Sequence, residues 1–296
     1  MNTFNEYVSE VVNALKNTLG EDYDVTINVI NKNGQNRTRI CIKEAGANIA
    51  PCIDIDKMYE KDEKGEYIDS AVGEILSIYE QNKAPNVDIS FFSDYEKVKE
   101  NLFPILYSED RVDESIISRN IPGTDLYLSA AVKIAVNEEA GHVKVKKAHV
   151  LGWDVSEDEV IDKAMENLSK QTPIVKHMFA FLNDIAPVPG MYEEPLPSFF
   201  AAPPMYIATS NSKSNGAAVI FLPEVQEEIE EKVGEDFIVL PSSKHEVICI
   251  PGNSMETDNL IAMVKEINST EVDPEDVLSD NVYQFNSDTR EYKVIA

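Results

Sequence analysis

The stretch from Gly216 to Ile267, GAAVIFLPEVQEEIEEKVGEDFIVLPSSKHEVICIPGNSMETDNLIAMVKEI, constrains the fold more than any other part of the chain. AAVIFL reads as a strand, paired as a hairpin with MYIATSN before it across SKSNG. Pro223 then stands at the start of a helix over VQEEIEEKV, and Gly234 ends it. FIVL and EVICI form two further strands around PSSKH, and Thr257 or Asp258 opens a helix over LIAMVKEI. Hairpins alternating with amphipathic helices predict an α+β fold: antiparallel β-hairpins covered by helices.

The rest of the chain repeats the pattern. Phe4, Val8, Val11, Val12, Leu15 and Leu19 fall at helical spacing, with Gly20 as the stop. DVTINVI and TRICI alternate around Asn33-Gly34, a hairpin signal, and IAPCIDI follows as a short strand leading into DKMYEK. Asp69 or Ser70 is expected to cap a helix bearing Val72, Ile75, Leu76 and Tyr79. VDISFF reads as a strand, and Asp94 opens a helix toward Leu106 that Pro104 should kink or end. LYLSAAVKIAV and HVKVKKAHVL predict another hairpin, and Ser156 and Glu159 have capping-box spacing for the next helix. Trp153, just before that helix, is expected to pack on its first turn. IVKHMFAFLNDI reads as one more helix, and VYQF and EYKVI as the last hairpin. NTLGEDYDV and EKVGEDFIV echo each other, each following a helix and leading to a similar strand.

Six of the fifteen prolines lie between Pro187 and Pro204. This segment is the expected linker between two lobes, residues 1–186 and 205–296, and it is extended rather than floppy. Phe199 and Phe200 within it are too apolar for a free linker and are expected to be pinned to a core surface.

Composition limits function more than it defines it. A net charge of −27 over 296 residues argues against direct binding to nucleic acid or to an acidic membrane surface, since phosphate recognition needs Lys and Arg. It favours a basic protein partner, unless the acidic residues serve only as a solubilising coat. No window approaches the apolar length of a membrane span. The N-terminus has no positive region followed by an apolar one, so a cytoplasmic setting is expected. Cys41, Cys52 and Cys249 sit in apolar runs at no metal-type spacing and read as small buried hydrophobes, reduced in the cell.

YEKVKENLFPILYSEDR leading to DLYLSAAVKIAV, HVLGWDVSEDEVIDKAMENLSKQTP, and the run from NGAAVIFLPEVQEEIEEKVGEDFIVL to EVDPEDVLSDNVYQF together resemble domain-of-unknown-function family 5688. That resemblance implies an acidic protein of anaerobic gut bacteria and covers most of the chain; the first 80 residues are its least distinctive part. LGWDVSEDEVIDKAMENL is also similar to a motif in another uncharacterised bacillar family. Neither likeness brings an activity or catalytic residues.

Few residue patterns point to chemistry. His245, beside Ser242, Ser243 and Lys244 in a hairpin turn, offers an imidazole near hydroxyls, though no nucleophile-elbow motif surrounds it. Asp54 and Asp56 share one face of a strand and could approach a divalent ion, but no third ligand accompanies them. The Gly252-Asn253-Ser254-Met255 run superficially resembles the serine motif of self-cleaving repressor proteases; without a lysine on a neighbouring strand it reads as a turn. His142 and His149, seven apart on one expected strand, would face oppositely. No metal or cofactor motif is present, so neither is expected. The leading expectation is a non-enzymatic binding protein with an acidic surface. The alternatives are a hydrolase whose pocket is assembled from distant residues, with His245 or Asp54 meeting other polar side chains in it, and a structural accessory subunit docking through Phe199 and Phe200.

Overall fold

A computed structural model of the chain describes residues 3–32, 35–47, 50–61, 67–83, 90–136, 139–185, 203–241, 243–254 and 257–295. Its contacts divide into two units, Met1–Ser90 with Ala135–Gly141, and Phe91–Ile134 with His142–Ala296. Helices and antiparallel sheets make both, the expected α+β class. The division does not follow the proline-rich segment, because the strands on either side of that segment pair with each other in one sheet. Residues 186–202, which include Phe199 and Phe200, lie outside the described residues.

In the first unit, α1 (Phe4–Leu19) begins with Thr3 and Glu6 in a reciprocal capping box and ends at Gly20, whose φ of 82° is open to glycine. The strands β1 (Tyr23–Lys32), β2 (Gln35–Glu44) and β3 (Cys52–Asp54) form a sheet in that order. The helices α2 (Asp56–Lys61) and α3 (Ile68–Asn82) complete the unit. Val25, Ile40, Ile42, Ile53 and Ile55 bury with Tyr7, Val11, Leu15, Ile75 and Tyr79 in one core. The helix α3 starts two or three residues before the expected caps, with Tyr67 at its N-cap and no side-chain hydrogen bond there.

Strand alternation in this sheet corrects the cysteine reading. Ile40 and Ile42 point into the core, so Cys41 between them lies on the opposite face; Ile53 and Ile55 place Cys52 there too. Cys41 and Cys52 are direct cross-strand partners with Cα atoms 4.2 Å apart, and their sulfurs are bonded as a disulfide. Only Cys249 is a free, buried thiol, and burial pushes its pKa up.

A 3₁₀ turn at Ser90–Ser93, where a strand was expected, runs into the second unit at Phe91, and α4 (Tyr95–Val98), whose first turn Asp94 caps, follows. The helix stops there. Leu102–Ser108, the apolar run LFPILYS, is instead a strand, β4, buried along nearly its whole length. Short runs buried on both faces carry no period that separates helix from strand, and Pro104 favours the extended form. β4 pairs with β6 (Leu126–Val136), which also pairs with β5 (Arg119–Asn120) and β7 (Glu139–Lys144). The expected hairpin is present but its second strand is short: Lys147–Trp153 is helix α5, so His149 is helical and not on a strand with His142.

Ser156 caps α6 (Glu157–Ser169) by accepting the Glu159 N–H at 3.1 Å. Residues 174–185, expected as one helix, divide into β8 (Ile174–His177) and α7 (Met178–Ile185). β9 (Tyr206–Thr209) pairs with β8, and Gly216–Phe221 is a buried 3₁₀ helix instead of the expected strand. A Cβ on Gly216 would lie 2.4 Å from the Ser210 nitrogen, so the backbone enters the core there as only glycine allows. Pro223 opens α8 (Pro223–Val233), which ends at Gly234 with φ 105°. β10 (Phe237–Leu240), β11 (Glu246–Pro251), α9 (Thr257–Thr270), β12 (Tyr283–Asn286) and β13 (Glu291–Val294) fall where expected. The six-stranded sheet runs β13-β12-β10-β11-β9-β8. The echoed GED segments share a local design, since Gly20 and Gly234 both have positive φ and donate to the carbonyl four residues back.

Candidate functional site

The second unit concentrates charge and concavity around α6. Val160, Ile161, Ala164 and Leu168 are buried in the unit's main core, leaving Asp158, Glu159, Asp162 and Glu166 on the exposed side. Asn167, also buried, donates its amide to the Lys99 carbonyl (2.7 Å) and the Leu102 carbonyl (3.0 Å), fixing the helix against the start of β4.

Two clefts flank this helix and share Asp162 and Glu166. One, of about 600 Å³, has an apolar lining from Ile121, Pro122, Leu128, Met165, Phe221 and Leu222, rimmed by Arg119, Asp162, Glu166 and Glu224. Ser169 Oγ donates to Glu224 Oε1 at 2.5 Å and joins its two walls. The other, of about 650 Å³, is polar and is lined by Tyr95, five carboxylates and the two lysines Lys99 and Lys163. Together the clefts present six carboxylates against three cationic side chains.

The strip already holds cations from its own fold. Arg119 Nη1 lies 2.8 Å from Asp162 and 3.3 Å from Asp158, one helical turn apart. Lys163 bridges Glu100 (2.9 Å) and Glu166 (3.4 Å), and Lys170 also reaches Glu166. Hydrogen bonds from Lys170 and Lys163 hold the Glu166 carboxyl below its ordinary pKa. Among the described residues, Glu159 and Glu224 enter no ion pair. Burial, then the Glu159 charge, raises the pKa of Tyr95, so its phenol stays neutral at physiological pH. Behind Tyr95 stands Trp153, ring centroids 5.8 Å apart, with its indole N–H donated to the Phe92 carbonyl at 2.7 Å.

The turn between β10 and β11 brings His245 to Asp276, 31 residues away in sequence. The imidazole Nε2 is 3.2 Å from the Asp276 carboxylate and Nδ1 accepts the Asn215 backbone N–H at 3.1 Å. With both nitrogens engaged, no lone pair remains for a proton-abstracting base or a metal. Lys244 Nζ also lies 2.7 Å from Asp276. Burial pushes that carboxyl's pKa up, but Lys244 and His245 outweigh it and hold it below the ordinary value. Ser243 Oγ accepts the His245 backbone N–H at 3.0 Å, whereas Ser242 lies outside the described residues. The arrangement ties a turn to the loop before β12; Asp276, its anchor, left no local signal in the sequence.

Asp54 and Asp56 are likewise spent on the backbone. Asp54 Oδ1 accepts the Asp56 N–H (3.1 Å) and Asp56 Oδ2 accepts the Thr38 N–H (2.7 Å). Burial raises the Asp56 pKa against the Thr38 hydrogen bond, as expected for a carboxylate turned into the fold. Ser254 Oγ donates to the Pro251 carbonyl at 2.7 Å and closes a turn. Among the described residues, no group of three or more His, Cys, Asp or Glu side chains could hold a metal ion, and no helix is long and apolar enough to cross a membrane. The residues around α6 were missed as a set because β5 and α8 reach it from distant parts of the chain. The available signal was SEDEVIDKAMEN, a capped helix with acids at i and i+4 on its outer side.

Residues 4–287 match the family described as a family of unknown function, DUF5688. No curated protein and no solved structure matches the chain.

Proposed function

The chain thus belongs to DUF5688, a family of unknown function, and from that premise we propose that it is a binding protein whose α6 strip receives a basic segment of a protein partner. The observation that carries this reading is the apolar cleft of about 600 Å³ edged by carboxylates, continuous through Asp162 and Glu166 with a second acidic cleft. An apolar floor gives a partner side chain a place to leave water, and the rim selects cationic neighbours. Arg119 bridging Asp158 and Asp162 is an internal example of a guanidinium on this surface. The same field repels phosphate, which speaks against a nucleic-acid ligand. His245 does not support the hydrolase alternative, because its two ring nitrogens are committed.

The test is a titration of the protein with short lysine-rich peptides, with and without a central leucine, followed by the fluorescence of Trp153, the chain's one tryptophan. The expected result is saturable binding of the leucine-bearing peptide that weakens from 50 mM to 500 mM salt as screening shortens. Equal response to an acidic peptide, or no response at low salt, overturns the reading.

A further inference from the structure

We propose that Cys41 and Cys52 form a thiol–disulfide exchange site in which the Cys52 sulfur is attacked and the Cys41 sulfur leaves. The two cysteines face each other across β2 and β3 on the sheet surface opposite the core. Their environments differ in a way that assigns the roles. Cys52 is exposed on β3, the three-residue strand at the sheet edge, so an incoming thiolate reaches its sulfur from solvent. Cys41, on the central strand, is only 4% exposed. Asn28 on β1 donates its Nδ2–H to Cys41 Sγ at 3.2 Å. That donor stabilises negative charge on the Cys41 sulfur, which is where charge develops when the bond to Cys52 breaks.

The step balances with a thiol as the reductant. A thiolate RS⁻ forms a bond to Cys52 Sγ while the Cys41–Cys52 bond breaks, and its electron pair leaves on Cys41. A second thiol then attacks the R sulfur, releasing RSSR and the Cys52 thiolate. Two thiols are oxidised, the cysteine pair is reduced, and two protons end on the protein thiols. An exposed disulfide of this kind exchanges readily. Here it controls the covalent tie that holds β3, which pairs with β2 through only three residues.

The intact protein is incubated with glutathione at graded concentration, then trapped with iodoacetamide and mapped by mass spectrometry. The expected intermediate carries glutathione on Cys52 and the alkyl label on Cys41, with the buried Cys249 unlabelled as an internal control. Asn28→Ala is expected to slow exchange roughly threefold to tenfold, the value of one hydrogen bond to a sulfur that carries only part of its negative charge in the transition state. Two free thiols at positions 41 and 52 before any reductant is added overturn the proposal. So does glutathione distributed equally between the two cysteines, or an unchanged rate in Asn28→Ala. The mapping of the unaltered chain stands by itself if that variant folds poorly.

Discussion

Replacing Asn167 by alanine tests how α6, and with it the acidic strip, is held in place. The side chain is buried and donates both amide protons, to the Lys99 and Leu102 carbonyls at 2.7 and 3.0 Å. Each lost hydrogen bond costs about 1 kcal/mol net. The Lys99 carbonyl keeps the Leu102 N–H as a partner, so its further penalty is small. Partial desolvation of the Leu102 carbonyl and the small void add roughly 1 kcal/mol more. Alanine returns about 0.6 kcal/mol through its better helix propensity. The sum is a loss of about 2–3 kcal/mol, and at 2–4 °C per kcal/mol for a unit of this size the Tm should fall by roughly 5–10 °C. Urea unfolding followed by Trp153 fluorescence measures it, with Lys170→Ala at the exposed C-cap of the same helix expected to stay within about 0.5 kcal/mol. A loss below about 1 kcal/mol for Asn167→Ala, or a loss equal to that of Lys170→Ala, refutes the role assigned to this side chain.

Gly123 sits at φ 80° with the Tyr292 carbonyl 1.9 Å from where a Cβ would be, and its own carbonyl accepts the Val294 N–H. Gly123→Ala should therefore displace β13 and cost about 3 kcal/mol or more, read by urea unfolding; a loss under 1 kcal/mol would contradict the packing. For Asp276 the folded pKa lies below the unfolded one, so its contribution is present above the unfolded value near 4 and is lost as pH falls through the folded value. Asp276→Asn should cost about 1 kcal/mol at pH 7 and progressively less below pH 4; a cost independent of pH between 7 and 3 would remove the carboxylate from the account.

How much of this was legible in the sequence depended on whether a segment has two unlike faces. α1, α6 and α8 each expose one side, and their periodicity with Gly20, Gly234, Pro223 and Ser156 fixed them well; β10 is buried on both faces and was legible only through the polar turn that joins it to β11. Leu102–Ser108 and Gly216–Phe221 are buried all round, so their apolar runs could not distinguish strand from helix, and both readings failed. At Cys41 the apolar neighbours misled for the opposite reason. Cys41 looked apolar between Ile40 and Ile42, but alternation turns it away from the isoleucines toward Cys52. The candidate site was half visible: the acidic capped helix could be read, whereas Arg119 and Glu224 come to it only through the tertiary fold.

The central claim is that the excess carboxylates beside α6 bind a basic partner, and Glu159 and Glu224 are the residues through which to test it, since neither forms an ion pair among the described residues. The measurement is affinity capture from bacterial lysate at 50 mM and 500 mM salt, comparing the unaltered chain with Glu159→Lys/Glu224→Lys and identifying bound protein by mass spectrometry. The account predicts a stoichiometric basic protein on the unaltered chain at low salt, released at high salt and absent from the variant. Capture of the same partner by both chains, or a partner that survives 500 mM salt undiminished, would contradict it.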